Sequence, residues 1–290
     1  MSGFSPEWLA LREPADHRSV NAAVRHRLVR HVERHSPLSV VDLGCGTGSN
    51  LRGLAPFLGP EQRWRLVDHD ARLLDAAAAL LRGWSDMAMD TAQGLRLERA
   101  PITVRVSLCN VDLSNGDFGP LVEGTHLVTV SALFDLVSRR LIERLAEAVA
   151  AGNRLFYTVL TYDGMVEWRP QHPADTAMRD AFNQHQRGDK GFGPAVGPAA
   201  TDALAAAFTR LGYTVVRGKS PWLLDDGFAG LRRKLDESWA EAVRETGLVA
   251  HAVVDEWLRH RLCSQAAVTI VGHEDLLALP PGQTRRGISN

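Results

Sequence analysis

A short apolar strand that breaks into three alternating glycines constrains this chain more than any other feature. Val40 and Val41 lead to the acidic residue Asp42, and glycine then stands at positions 44, 46 and 48. Glycine permits a tight turn and lets a ligand lie against bare backbone. A helix that starts behind such a turn presents N–H groups without partners. The segment therefore predicts a ligand-binding strand, turn and helix.

The spacing of these glycines separates two classes of ligand. A dinucleotide fingerprint has the form GxGxxG and holds a pyrophosphate at the start of the helix. This chain has GxGxG, and Ser49 stands where the last glycine would be. The carboxylate of Asp42 would repel a pyrophosphate but could hold an ammonium group. The pattern favours a cationic amino-acid cofactor, and a nucleotide site is the alternative.

Strand patterns alternate with helical patterns along most of the chain, which indicates βαβ units and a mainly parallel sheet. A helical N-terminal segment precedes the glycine turn. Residues 85–100 fit neither pattern, and neither do residues 165–198, a length that usually marks a functional segment or a lid. Further strands are predicted at 63–70, 102–113, 125–136, 154–164, 213–222 and 266–273, with helices at 71–84, 138–151, 201–212 and 225–262.

The glycine turn and the acidic residues after it resemble the motifs of class I S-adenosylmethionine-dependent methyltransferases. The family's first motif, E/D-x-G-x-G-x-G, matches Asp42 to Gly48. Asp68 ends the second strand, 20 residues after Gly48, where such enzymes hold the ribose hydroxyls, and Asp70 is the close alternative. Asp112, after the third strand, resembles the acid that accepts from the adenine amino group.

This resemblance implies a fold and its organisation. The fold is α/β, with a doubly wound, mainly parallel seven-stranded sheet whose last strand is antiparallel. We expect a helical N-terminal segment at 1–36 and a methyltransferase domain at 37–290. Insertions at 165–198 and 223–264 are expected to form a cap.

The resemblance also implies S-adenosylmethionine as the cofactor and a set of residues around it. Ser131 belongs to the family's fourth motif, which faces cofactor and substrate, and Arg18 is expected to pair with the cofactor carboxylate. The predicted cofactor-binding residues are Asp42, Gly44, Cys45, Gly46, Gly48, Asp68, His69, Asn110, Asp112, Leu113, Ser131 and Arg18.

The acceptor leaves fewer marks in the sequence. There is no N/D-P-P-Y segment and no Pro-Cys dipeptide, and the net charge of -1 offers no global basic excess for nucleic acid. We expect a small-molecule acceptor, oriented or deprotonated by His185, His172 or Tyr162. The alternatives are an RNA or protein methyltransferase and a non-catalytic protein that binds S-adenosylmethionine.

Cysteine usage and hydropathy bear on the compartment. Cys45, Cys109 and Cys263 lie far apart and form no CxxC pair, so neither a disulfide framework nor a zinc site is predicted. The N-terminus lacks the pattern of a signal peptide, and no run of about 18 apolar residues predicts a membrane helix. We expect a cytoplasmic monomer or homodimer without a metal site.

Overall fold

A twisted sheet with helices on both faces dominates the computed structural model, which describes residues 4–264 and 266–282. The strands are β1 Leu38–Leu43, β2 Glu61–Asp68, β3 Met87–Thr91, β4 Gly94–Arg99, β5 Ile102–Asn110, β6 Leu127–Ser131, β7 Leu155–Arg169, β8 Thr214–Lys219, β9 Trp222–Leu224 and β10 Val268–Leu279. The helices are α1 Pro6–Ser19, α2 Ala22–Val32, α3 Ser49–Leu54, α4 Ala71–Trp84, α5 Gly119–Val122, α6 Arg139–Ala151, α7 Asp175–Gln186, α8 Ala200–Arg210, α9 Ala229–Thr246 and α10 His251–Cys263.

The sheet has the predicted doubly wound topology. Its central seven strands run in the order β5-β2-β1-β6-β7-β10-β8, and the first five of these are parallel. Strand β10 lies antiparallel between β7 and β8. The predicted seven-stranded α/β fold with an antiparallel last strand is therefore confirmed. Within the described residues, three short strands extend it: β3 and β4 beyond β5, and β9 on β10.

Strand β1 is buried on both faces, which is why it reads as an apolar run rather than as an alternating strand. Val40 packs into the core on one side of the sheet and Val41 into the core on the other. The carboxyl ends of β1, β2 and β6 meet at one edge because these strands are parallel. This edge carries the glycine turn, so the fold places the predicted motifs together.

The two segments without a clear pattern in the sequence both form regular structure. Residues 85–100 contain the hairpin of β3 and β4, which is largely exposed on β3 and therefore lacks a strong apolar alternation. Within 165–198, β7 continues to Arg169 and α7 follows. Asp175 links α7 to α10. Its Oδ1 accepts a hydrogen bond from Trp257 Nε1 at 2.8 Å and forms an ion pair with Arg261 Nη2 at 2.5 Å.

The N-terminal helical segment consists of two helices, and Asn21 caps the second, α2, by accepting from the backbone N–H groups of residues 23 and 24. Among the described residues, no helix combines the length and the apolar character that crossing a bilayer requires.

A buried carboxylate in β10 joins the start of α2 to β7 and to the segment before β9. Asp275 lies in β10 with no exposed surface. It accepts hydrogen bonds from Leu160 N at 2.9 Å, Ser220 Oγ at 2.6 Å and Asn21 N at 2.7 Å. Leu160 has a positive φ of 58°, a conformation that costs free energy unless its surroundings hold it. Asp275 therefore fixes β7, the entry to β9 and the start of α2 at one point.

We expect Asp275→Ala to lower the free energy of unfolding by on the order of 3 kcal/mol, because three buried donors lose their acceptor. The matched variant Ser220→Ala removes one of the three hydrogen bonds and should cost about 1 kcal/mol. Urea denaturation followed by circular dichroism measures both. Equal losses in the two variants would contradict this role of Asp275.

Candidate functional site

The three glycines form a left-handed turn between β1 and α3. Gly44, Gly46 and Gly48 have φ values of 68°, 53° and 75°, which glycine adopts without the strain that a Cβ adds. The turn is tied to β2 by a hydrogen bond from Cys45 N to Val67 O at 3.0 Å. The Cys45 side chain is buried, and burial raises the pKa of its thiol, which indicates packing rather than nucleophilic chemistry.

Side chains on two of the glycines would also crowd their neighbours. A Cβ placed on Gly44 would lie 3.0 Å from Leu133 Cδ2, and one on Gly46 would lie 3.0 Å from Leu9 Cδ1. The bare backbone of the turn thus faces helix α1 on the side of Leu9 and the segment after β6 on the side of Leu133. All three glycines are required for their conformation, and Gly44 and Gly46 also for this close approach.

Asp42 lies under the turn and is completely buried. Its Oδ1 accepts from Asn50 Nδ2 at 2.9 Å, and the same amide donates to Thr129 Oγ1 at 3.1 Å. Its Oδ2 has no hydrogen-bond partner among the described residues. Burial raises the pKa of Asp42 to about 7. A carboxylate left half-satisfied in this way is suited to accept from a cationic ligand group.

Asp68 stands at the end of β2 and closes the other side of the turn. Its Oδ2 accepts from Gly46 N at 2.9 Å, and its Oδ1 accepts from Asp70 N at 3.0 Å. A carboxylate offers about four acceptor positions, so roughly two remain for hydroxyl groups. Of the two candidates for the ribose, Asp68 and Asp70, the second has a structural role, because Asp70 caps α4 by accepting from Arg72 N. His69 lies between them, with Nδ1 3.4 Å from Asp68 Oδ1 and a largely exposed ring.

The predicted adenine-side residues follow at the ends of β5 and β6. Asn110 donates to the carbonyl oxygens of Asp68 and His69, and so holds the end of β5 against the end of β2. The exposed carboxylate of Asp112 accepts from Ser114 N at 2.8 Å, and this hydrogen bond lowers its pKa. Leu113 is buried in the core. Ser131 lines a cavity of about 30 Å³, whose other walls come mainly from α1, α2, α3 and β7.

One face of helix α1 packs against both the glycine turn and helix α3. Leu9 contacts Gly46, Glu13 pairs with Arg52 at 2.8 and 2.5 Å, and His17 Nε2 lies 2.9 Å from Ser49 O. Arg18 is exposed and lies on another face of α1, where its guanidinium stands 5.6 Å from the ring centre of Phe228. Its described contacts do not bring it to the glycine turn.

The three residues predicted to act on the acceptor lie in different surroundings. Tyr162 is buried and donates from its hydroxyl to Asn183 Oδ1 at 2.8 Å. His185 is half-buried, with Nε2 2.9 Å from Glu245 Oε2 and Nδ1 3.2 Å from Lys190 Nζ. His172 accepts from Ala174 N through Nδ1, and its ring centre lies 5.0 Å from that of His260, with the two rings tilted by 50°.

Sequence reasoning did not single out two buried groups near Tyr162. Asp135 follows β6 in an apolar stretch, Leu133-Phe134-Asp135-Leu136, where an acid is unexpected and could have been a signal. His273 pairs with Tyr162 across β7 and β10, a contact that only the sheet register reveals. Among the described residues, no group of three His, Cys, Asp or Glu side chains is arranged to hold a metal ion.

Comparison with known proteins shows similarity of fold. No protein-family model and no curated protein matches the chain. A cyclopropane-fatty-acyl-phospholipid synthase-like protein from Lactobacillus casei is similar in structure, with 15% identity over 96% of this chain and 95% of that chain and a TM-score of 0.51. An S-adenosylmethionine-dependent methyltransferase from Geobacter sulfurreducens, in complex with S-adenosyl-L-homocysteine, has 18% identity over 95% of this chain and 98% of that chain, with a TM-score of 0.44.

The raised pKa of Asp42 generates a prediction about stability. Since the folded state retains the Asp42 proton up to about pH 7 while the unfolded state loses it near pH 4, stability falls as pH rises through this window. We expect Asp42→Asn to flatten this fall and to raise the free energy of unfolding at pH 8 by at most on the order of 4 kcal/mol.

Urea denaturation at pH 5 and pH 8 measures this effect. The control is Asp75→Asn, which alters an exposed carboxylate on α4. A difference between wild type and Asp42→Asn that is the same at both pH values would contradict the assignment.

Proposed function

We propose that this chain is an S-adenosylmethionine-dependent methyltransferase that acts on a small molecule. The observation that carries the proposal is the turn of three left-handed glycines between two carboxylates, Asp42 and Asp68, at the carboxyl edge of a doubly wound sheet. In sheets of this kind, ligands bind at that edge. The name of the Geobacter protein and its bound S-adenosyl-L-homocysteine agree with this proposal.

The residues at this edge fit the chemistry of the cofactor. The unpartnered Oδ2 of Asp42 matches the ammonium group of the amino-acid moiety, and the remaining acceptor positions of Asp68 match two ribose hydroxyls. Asp112 would accept from the adenine amino group. A dinucleotide fits less well, because a buried carboxylate beneath the turn repels a pyrophosphate.

The bound cofactor supplies a methyl group that its sulfonium already activates. The task left to this chain is to align the acceptor and to exclude water from the reacting atoms. Leu9 of α1 and Leu133, which follows β6, both lie against the turn, and these two elements would provide that enclosure. Of the side chains predicted to act on the acceptor, Tyr162 is the one we propose for the acceptor site. The roles of His185 and His172 in orienting or deprotonating the acceptor stay predictions from the sequence.

The balance of 33 basic and 34 acidic side chains supports a small-molecule acceptor over RNA. A protein substrate and a non-catalytic role remain the alternatives, which transfer of a labelled methyl group distinguishes. The three cysteines, which are free, support a reducing cytoplasm as the compartment. Monomer or homodimer is still the expected oligomeric state.

We predict that S-adenosylmethionine and S-adenosylhomocysteine bind with Kd values of roughly 1–100 μM in calorimetric titration. NAD, titrated under the same conditions, should give no binding heat. Asp68→Ala should weaken both cofactor affinities by at least about tenfold, because the ribose hydroxyls lose a charged acceptor.

Asp75→Ala is the matched control, since it removes an exposed carboxylate from α4 without touching the turn. Its cofactor affinities should equal those of the wild type. Binding of NAD in place of the two S-adenosyl ligands would reject the proposed cofactor. Unchanged affinities in Asp68→Ala, with native circular dichroism, would reject the role of Asp68.

A further inference from the structure

A buried group of polar and aromatic side chains lies next to the glycine turn. We name it the acceptor cluster, and its members are Arg12, Asp16, Asp135, Tyr162, Trp222 and His273. Chain connectivity places it there: Arg12 is one helical turn from Leu9, and Asp135 is two residues from Leu133, the two leucines that contact Gly46 and Gly44. The cluster therefore borders the proposed cofactor site.

One half of the cluster is fully paired. Arg12 holds Asp16 through two hydrogen bonds, Nε to Oδ2 at 3.0 Å and Nη2 to Oδ1 at 3.2 Å. Trp222 Nε1 donates to the same carboxylate at 3.1 Å, and its ring centre lies 5.0 Å from the Arg12 guanidinium carbon. This half is an ion pair without net charge, and it presents an indole ring as a wall.

The other half has weaker pairing. Asp135 is 7% exposed; its carboxylate is hydrogen-bonded by its own backbone N–H, and the side-chain hydrogen bond that it accepts from Gln186 Nε2 is long, at 3.4 Å. His273 is 5% exposed, and its Nδ1 has no hydrogen-bond partner among the described residues. Buried polar groups are normally hydrogen-bonded, so two poorly satisfied groups beside a proposed active site indicate a ligand.

The charges of the cluster sum to about one negative charge. Burial raises the pKa of Asp135 to about 6, below neutral pH. Burial lowers the pKa of His273 to about 3 and keeps the imidazole neutral. Nearby charges are paired elsewhere: Arg179 with Asp180 at 2.9 Å, and Asp163 with Lys219 at 3.0 Å. Arg12 is hydrogen-bonded to Asp16 and also lowers the pKa of Asp135, so one guanidinium serves two carboxyls and the excess charge is negative.

Aromatic rings pack together in this cluster, and one of them, Tyr162, interacts electrostatically with Asp135. The Trp222 and His273 ring centres are 4.8 Å apart, and the Tyr162 ring centre lies 6.2 Å from that of His273. Phe182 of α7 packs edge-on against Tyr162 at 5.8 Å. Aromatic faces attract flat apolar groups and cations, and they repel anions.

We propose that the acceptor cluster binds the methyl acceptor and that this acceptor is an aryl-alkyl amine whose nitrogen pairs with Asp135. The proposal rests on the proposed function, since the cluster is identified by its position beside the cofactor turn. His273 accepts or donates a second hydrogen bond through Nδ1, and Trp222 and Tyr162 contact the ring of the amine. Asp135 is thus the residue that selects the charge of the acceptor.

Three probes of similar shape and different charge test this proposal: 2-phenylethylamine, 2-phenylethanol and 3-phenylpropionate. Ligand-observed NMR titrations of the full chain, saturated with S-adenosylhomocysteine, give their affinities. We expect the amine to bind at least about tenfold more tightly than the carboxylate, with the alcohol between them. Asp135→Asn should remove most of the preference for the amine, whereas Asp163→Asn, whose carboxylate is paired with Lys219 outside the cluster, should keep it.

The wild-type ranking stands as a test even if Asp135→Asn fails to fold. Tighter binding of 3-phenylpropionate, or no binding of any probe while S-adenosylhomocysteine binds, would overturn the assignment of Asp135 and leave the proposed function intact. Absence of S-adenosylhomocysteine binding in the same samples would instead overturn the proposed function. An unchanged amine preference in a folded Asp135→Asn variant would also overturn the proposal.

Discussion

The hydrogen bond from Gly46 N to Asp68 Oδ2 is the interaction on which the candidate site depends. It joins the turn after β1 to the end of β2 and holds a backbone of three left-handed glycines in one conformation. The same carboxylate keeps acceptor positions for a ligand. Leu9 of α1 packs where a Cβ of Gly46 would lie, and Leu133, after β6, packs where a Cβ of Gly44 would lie. The conformation of the turn therefore also positions these two neighbouring elements.

Asp42 lowers the stability of the fold while it offers the candidate site an acceptor for a ligand. Burying a carboxylate with one unpartnered oxygen costs stability, and its raised pKa is the measure of that cost. Such a residue is retained where a ligand supplies the missing partner. Asp135 is a second buried carboxyl with a raised pKa, and the side-chain hydrogen bond that it accepts from Gln186 is long, at 3.4 Å.

Local patterns were sufficient to predict the mainly parallel sheet and the glycine turn, whereas the antiparallel last strand was predicted from the resemblance to class I methyltransferases. Strongly apolar β1 and the amphipathic α4 are read from a few neighbouring residues. The hairpin of β3 and β4 could not be read, because it is mostly exposed and its pairing, not its apolar content, defines it. Asp135 and His273 were missed for a related reason, since they meet Tyr162 only through tertiary packing and strand register.

A crystal structure of the chain with S-adenosylhomocysteine tests the central claim most directly. The account predicts density for the ligand across Gly44, Gly46 and Gly48, with both ribose hydroxyls within about 3.2 Å of the Asp68 carboxylate. It also predicts the ligand's ammonium group on the Asp42 side of the turn. Density at another site, or a ribose held by groups other than Asp68, would contradict the account.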